Sequence, residues 1–288
     1  MDTRVRVAVV QAAPVFFDKS ACVAKTAELA AEAAARGAGI VLFPESFIPC
    51  YPWSMNEGPK IGRSLLENKK DFQLFLENTV TVDDPATARL SAVAAEAGIY
   101  LAVGLTERDG NDLYCSVFFW GPDGSWLGRH RKLRPTGQEG RLWSQGDGSE
   151  LTAFPTPYGM IGSVICWENY MPLLRAAMYA KGVSLYLAPT ADSRDHWQCS
   201  MQHIALEGRC FVLSCNQFVT RSMLPASLAA SPGLTDLPEI LNRGGSAIVS
   251  PMGEYLAGPL YGREGILVAD LDLDLVKEAR YDFDPMPT

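Results

Sequence analysis

The sequence predicts an α/β fold with sheets inside and helices outside. A strand–helix–strand unit with short links opens the chain, apolar strand runs alternate with helical patterns along most of its length, and two similar hairpins recur far apart. The chain has 288 residues, enough to bury a full core, and no stretch reads as an interdomain linker, so residues 1–288 are expected to form a single domain. Hydrophobic residues make up 48% and charged residues 20%, the balance of an ordinary globular protein. A net charge of −8 argues against nucleic acid or an anionic membrane as the main partner. No apolar run approaches the roughly 20 residues of a membrane helix.

Val5–Gln11 reads as a buried strand. Asp18 and Ser20 are cap candidates for a mostly alanine helix through Arg36, with Gly37 as its stop. Ile40–Phe43 is a second apolar strand, ending at Pro44-Glu45, so the first two strands should pair in parallel. A charged helix follows near Ser64–Glu77; Asp84-Pro85 opens another, which Gly98 closes before a strand at Ile99–Leu105. The stretches "FFWGPDGSWLG" (118–128) and "AIVSPMGEYLA" (247–257) carry the same hairpin pattern, which suggests two related halves. Between them lie a strand running to Cys166, a helix from Pro172 to Lys181 stopped by Gly182, and a strand at Ser184–Ala188. A helix near Trp197–Glu207 and a strand at Phe211–Gln217 complete this part. Residues 221–245 are rich in Pro, Ser and Gly and read as a surface loop.

The seven cysteines are irregularly spaced and include no C-x-x-C pair. Neither a structural zinc site nor a disulfide framework is indicated, and a reducing cytoplasm fits best. The N-terminus enters a strand pattern at once, so no signal peptide is expected.

Four positions carry candidate chemistry. Cys166 ends an apolar strand in "GSVICWENYMP", where a cysteine is either a small core hydrophobe or a nucleophile at a strand-to-helix turn. Pro172 suits the first position of a helix, so backbone N–H groups near 167–171 are expected to point at a reacting centre. Glu45 follows four apolar residues and a proline, as either a solvated strand end or a half-buried base. Lys132 lies in the basic run "GRHRKLRPTGQEG", which is either a solvated face or a loop with one cation, not identified by the run itself, turned inward to stabilise developing charge. Glu139 lies in the same loop. His196, Cys199 and His203 share one helical face, which leaves a metal site or a histidine partner for Cys166 as further options. Cys22, Cys115, Cys210 and Cys215 read as core residues.

Taken together, "VLFPES", "HRKLRPTGQE" and "ICWEN", in this order, resemble the nitrilase superfamily of carbon–nitrogen hydrolases, and the resemblance runs from "VAVVQAAP" to "ARYDFDP". The "CWEN" elbow, with "LWSQGDGS", "APTAD" and "HIALEGRCFVLSCNQ", is similar to the nitrilase branch proper. The resemblance implies a four-layer α-β-β-α sandwich that pairs into a homodimer or a larger homo-oligomer, without metal or organic cofactor. It implies Cys166 as nucleophile, Glu45 as general base and acid, Lys132 as electrostatic stabiliser, and Glu139 as the residue that holds the lysine. With a glutamate as the base, the histidine-partner option recedes. The implied reaction hydrolyses an organic nitrile to acid and ammonia through a covalent thioimidate and thioester. The alternatives are an amidase or omega-amidase, a hydratase-type release of the amide, and a catalytically silent binding protein. Tyr51, Trp53, Trp143 and His196 lie near the motifs and are candidates to line the substrate pocket. Trp167, Glu168, Asn169 and Thr190 join them from the "CWEN" and "APTAD" motifs.

Overall fold

The computed structural model describes residues 3–54, 63–64, 69–229 and 237–286. The side chain of Trp53 and residues 65–68, at the start of the helix expected from Ser64, lie outside the described residues. The first half of the chain runs β1 (Arg4–Gln11), α1 (Lys19–Ala35), β2 (Ile40–Leu42), then the short β3 (Trp53–Ser54) and β4 (Arg63–Ser64). It continues with α2 (Lys69–Glu77), α3 (Pro85–Ala97), β5 (Tyr100–Asp109), β6 (Asp112–Trp120) and β7 (Trp126–Arg131). The second half runs β8 (Ala153–Thr156), β9 (Gly159–Ser163), α4 (Pro172–Ala180), β10 (Val183–Pro189), α5 (Asp195–Gly208) and β11 (Phe211–Cys215). It ends with β12 (Phe218–Thr220), α6 (Ala226–Ala229), β13 (Ile240–Val249), β14 (Tyr255–Tyr261), β15 (Gly265–Asp272) and α7 (Asp274–Asp282).

Two mixed sheets result. In the first, ordered β15-β1-β2-β5-β6-β7, strands β1, β2 and β5 are parallel and the outer strands antiparallel. In the second, ordered β12-β13-β11-β10-β9-β8 with β14 also on β13, strands β9, β10 and β11 are parallel. Period-two alternation decides which face meets what. Val7 and Val9 of β1 enter a core shared with Leu185, Leu187, Phe211 and Leu213 of the second sheet. Ala8 and Val10, between them, pack instead with Val23, Ala30 and Ala33 of α1 and Leu90 and Val93 of α3. On the far side, Tyr186, Ala188 and Val212 pack with Leu174 and Met178 of α4 and Trp197 and Met201 of α5. Three apolar cores separate four layers, helix–sheet–sheet–helix, as expected.

The local signals act as anticipated. Asp18 caps α1 by accepting from the Ala21 N–H, Asp84 caps α3 by accepting from the Ala86 N–H, and Gly98 ends α3 in the left-handed region. Pro172 occupies the first turn of α4. One reading is corrected. Residues 240–245, placed in a surface loop from their composition, belong to β13, which pairs with β11 inside the second sheet. The glycines that suggested a loop serve irregular pairing instead: Gly244 and Gly245 take φ of 90° and 115°, where the register to β14 shifts. The expected strand Phe211–Gln217 also stops at Cys215, freeing Asn216 and Gln217 for side-chain bonds.

Candidate active site

The ends of β2, β7 and β9 converge on one buried cluster. Glu45 follows β2, Lys132 follows β7, and Cys166 follows β9; none is more than 1% exposed. The basic run resolves by strand alternation. His130 and Lys132 turn inward, two residues apart, while Arg129 and Arg131 turn to the opposite face and pair with Glu107.

Lys132 Nζ donates to Glu45 Oε1 at 2.7 Å and to Glu139 Oε2 at 2.8 Å. The second oxygen of Glu45 accepts the Ala191 N–H at 2.9 Å, and the carboxylate lies near enough to Cys166 for its charge to act on the sulfur. Glu139 is gripped further by the Thr136 N–H at 2.6 Å and the Tyr51 hydroxyl at 2.7 Å. Two carboxylates therefore share one ammonium, and their surroundings drive them apart. Burial pushes Glu45 up, and the Glu139 charge adds to this against the pull of Lys132. Burial acts on Glu139 in the same direction, but Lys132 and the two other donors, the Thr136 N–H and the Tyr51 hydroxyl, outweigh it and hold Glu139 below the usual range. Burial opposes the charge on Lys132, yet Glu139 and Glu45 prevail and keep its pKa well above the ordinary value. A pair split in this way has one member fitted to exchange protons and one fitted to stay ionised. Burial, then the Glu45 charge, pushes the Cys166 thiol up, with Lys132 opposing, so the sulfur is protonated at rest and needs a base beside it.

Backbone geometry aims the groups. Cys166 has φ of 50°, a left-handed conformation unusual for a non-glycine residue, at the turn between β9 and a 3-10 turn over Cys166–Tyr170. Ser46, directly after Glu45, has φ of 46°. Gly104 of β5 lies under this second turn. A Cβ there would meet Pro44 O at 2.1 Å and Glu45 Cα at 2.8 Å, so only glycine lets the glutamate's backbone pass this close.

Not all motif residues face a substrate. Glu168 is buried, with Oε1 on the Leu133 N–H at 2.6 Å and Oε2 on the Ile165 N–H at 2.8 Å and 2.9 Å from His130 Nε2. Its carboxylate ties the elbow to the segment carrying Lys132. Asn169 Nδ2 donates to the carbonyls of Val164 (3.0 Å) and Cys166 (2.7 Å), closing the elbow on itself. Tyr51 and Trp143 stack with ring centroids 5.9 Å apart, and Lys132 Nζ lies 5.9 Å from the Trp143 ring. Trp167 is half-buried; its Nε1 donates to Asp192 at 2.7 Å and Arg194 lies over its ring. Thr190 is in direct contact with the sulfur, its hydroxyl donating to Cys166 Sγ at 3.2 Å. His196, Cys199 and His203 are exposed on α5. Among the described residues no hydrogen bond joins His196 or His203 to the cluster, and no group of three or more His, Cys, Asp or Glu is arranged to hold a metal.

Sequence reasoning missed several residues. Cys115, read as core, packs in the core but also points its thiol at Glu45 Oε1, 3.5 Å away. Asn242 and Asn216 hold the carbonyls of Ala191 and Asp192, and Gln217 holds that of Glu45. The motif "SCNQ" hinted at Asn216 and Gln217, and nothing in the sequence hinted at Asn242.

The carbon-nitrogen hydrolase family model matches residues 6–281. An aliphatic nitrilase of Sinorhizobium fredii is 51% identical over 98% of this chain and 91% of its own length. A bifunctional nitrilase/nitrile hydratase of Lupinus angustifolius is 50% identical over 97% of this chain and 81% of its own. A carbon-nitrogen hydrolase of Helicobacter pylori shares the fold, with a TM-score of 0.76 at 22% identity over 98% of this chain and 94% of that one. The chain thus belongs to the carbon–nitrogen hydrolase family, in its nitrilase branch.

Proposed function

We propose that the protein hydrolyses an organic nitrile to the carboxylic acid and ammonia, with Cys166 as nucleophile. The observation that carries this reading is the split pair of carboxylates on one buried ammonium, with the buried Cys166 thiol within electrostatic reach of the raised member, Glu45. Glu45 takes the thiol proton as Sγ bonds to the nitrile carbon. The displaced π pair moves to nitrogen, which receives that proton, and a thioimidate forms. Lys132 and the Trp167 backbone N–H stabilise the charge on nitrogen; groups of this kind are typically worth about 3–4 kcal/mol each. Water, deprotonated by Glu45, adds to the carbon; the protonated nitrogen leaves as ammonia, and a thioester remains. A second water, activated in the same way, expels the sulfur as thiolate, which recovers its proton from Glu45. Glu139 stays ionised, balancing Lys132.

A second outcome is favoured by the relatives named as both nitrilase and nitrile hydratase. If the tetrahedral intermediate expels sulfur before nitrogen, the product is the amide. An amidase would use the same three residues on a carboxamide. The amphiphilic surroundings Tyr51, Trp143 and Trp167 suit an apolar nitrile side chain. Assembly as a homodimer or larger homo-oligomer, and a cytoplasmic setting, belong to the same reading; all seven cysteines are free, and among the described residues no helix is long and apolar enough to cross a membrane.

The test is ammonia, acid and amide release from matched nitriles and carboxamides by the wild type and by Cys166→Ala. The wild type should release ammonia from nitriles, and the variant none while melting as the wild type does. Turnover by Cys166→Ala close to wild type would refute the scheme.

A further inference from the structure

Thr190 stands out because of what its hydroxyl touches. It is fully buried just past the end of β10, with its N–H donating to the Cys215 carbonyl at 2.8 Å. Its oxygen accepts the Asp192 N–H at 2.9 Å. That bond orients the hydroxyl, and its single proton is given to Cys166 Sγ at 3.2 Å. The surroundings lock this geometry. Asn242 holds the Ala191 carbonyl at 2.9 Å, Asn216 holds the Asp192 carbonyl at 2.7 Å, and Asp192 binds Trp167, the residue after Cys166, at 2.7 Å. One short segment thus reaches the sulfur with a hydroxyl, the glutamate with the Ala191 N–H, and the elbow with a carboxylate.

We propose that Thr190 is a catalytic residue: its hydroxyl donates to the Cys166 sulfur whenever that sulfur carries negative charge, on attack and again on release of the product. The proposal rests on the reading of Cys166 as nucleophile. As Glu45 removes the thiol proton, the sulfur becomes a charged acceptor, and the hydrogen bond from Thr190 strengthens. The sulfur's electron pair then forms the S–C bond and the bond to Thr190 weakens. When the last tetrahedral intermediate collapses, the C–S bond breaks, the pair returns to sulfur, and the hydroxyl again meets a thiolate. Thr190 keeps its proton throughout. Lys132 is shared between two carboxylates, so a donor committed to the sulfur alone has a separate task. Stabilising the thiolate also lowers its intrinsic nucleophilicity, but only by about half on a logarithmic scale, so the larger thiolate population prevails.

The experiment is alkylation of Cys166 by iodoacetamide against pH, followed by peptide mass, in the wild type, Thr190→Val and Thr190→Ser. It needs no nitrile. Loss of a charge-assisted bond predicts that Thr190→Val moves the rise of alkylation about one pH unit higher and, after the gain in nucleophilicity is allowed for, slows it at neutral pH by about 3-fold. Thr190→Ser should keep the wild-type profile. With butyronitrile and phenylacetonitrile, kcat should fall about 10- to 100-fold in Thr190→Val with KM little changed. A Thr190→Val profile matching the wild type, or a rise in KM alone, would overturn the proposal and leave Thr190 as a substrate contact. A general packing defect is separated by Thr190→Ser, which should restore both readouts. Cys166→Ala reports on the nucleophile independently: ammonia release in that variant overturns the parent reading, whereas its loss beside a silent Thr190→Val overturns only this one.

Discussion

In the first half of the molecule β1, β2 and β5 run parallel and lead into the hairpin β6–β7; in the second, β9, β10 and β11 run parallel and lead into β13–β14. Helices link the strands in the same order and cover the outer face of each sheet. The strand ends differ. The end of β2 carries Glu45, and the hairpin of the same half delivers Lys132. The corresponding end of β10 carries Thr190 and the Ala191 N–H, neutral donors, and β9 delivers the sulfur. On the proposed mechanism, charge comes from one half and the reacting atom from the other, so the site is complete only where the sheets face each other. Reactive groups at the carboxyl ends of parallel strands follow the general rule for α/β sheets, here used twice.

The most damaging change to this arrangement should be Gly104→Ala. It adds one methyl group against Pro44 O and Glu45 Cα, in the first half only. The backbone bearing the base must shift, and a misplacement near 1 Å is worth roughly 100-fold in rate. We expect kcat to fall at least about 100-fold, checked by ammonia release in a sample whose circular dichroism is unchanged. An active Gly104→Ala would mean that Glu45 need not be held this closely.

Glu168→Gln comes next, because Glu168 is a direct tie between the halves. It binds Leu133 and His130 on the first-half side and Ile165 on the second. An amide in its place keeps one acceptor oxygen and turns an NH2 group toward a donor. The loss should be about 2–3 kcal/mol of stability, read by chemical denaturation. If stability is unchanged and only KM rises, Glu168 is a substrate contact after all.

These ties also explain what the sequence made legible. Cys166 and Glu45 each stand where an apolar run meets a turn, so local pattern exposes them, whereas the basic run around Lys132 does not say which cation turns inward, and only the resemblance singled it out. Asn242 was hidden because its partners, Ala191 and Asn216, are distant in sequence and its own segment is rich in glycine. Cys115 was hidden because alternation alone makes it one more inward apolar residue beside Leu113 and Val117. His196 misled for the opposite reason: its nearness in sequence to "APTAD" suggested a pocket, but the turn of α5 leaves it exposed.

The split between the carboxylates predicts the pH profile. If Glu45 is the base, as proposed, it must be ionised to act, and burial has raised its pKa, so activity should fall as pH drops through a value above the usual carboxylate range. Glu139, held low, keeps its charge through that interval, and its contribution to stability is lost only at more acid pH, as the pH falls through its depressed pKa. Lys132, held high, contributes no alkaline limb below its ordinary range. The check is kcat/KM against pH with thermal melts at each point. An acid limb that coincides with unfolding would remove the distinction between the two glutamates.

The smallest expected effect comes from Tyr51→Phe, which tests how Glu139 is kept apart from Glu45. The Tyr51 hydroxyl is one of the donors to Glu139, with the Thr136 N–H and Lys132. Removing it leaves Glu139 charged, because Lys132 dominates the forces that hold it low. One hydrogen bond to a carboxylate is worth about 1.5–3 kcal/mol when nothing replaces it, but the two remaining donors still satisfy the acceptor that matters, so the effect should sit at or below the low end. With Glu139 slightly more basic, Lys132 leans further toward Glu139 and away from Glu45, whose pKa rises as the ammonium loosens its hold. We expect kcat to fall about 5- to 10-fold, with the acid limb shifted slightly to higher pH. The direction of that shift is the decisive reading. A limb that moves to lower pH would mean that Tyr51 does not act on Glu45 through Glu139 and Lys132, and that Glu139 is not what separates the two carboxylates.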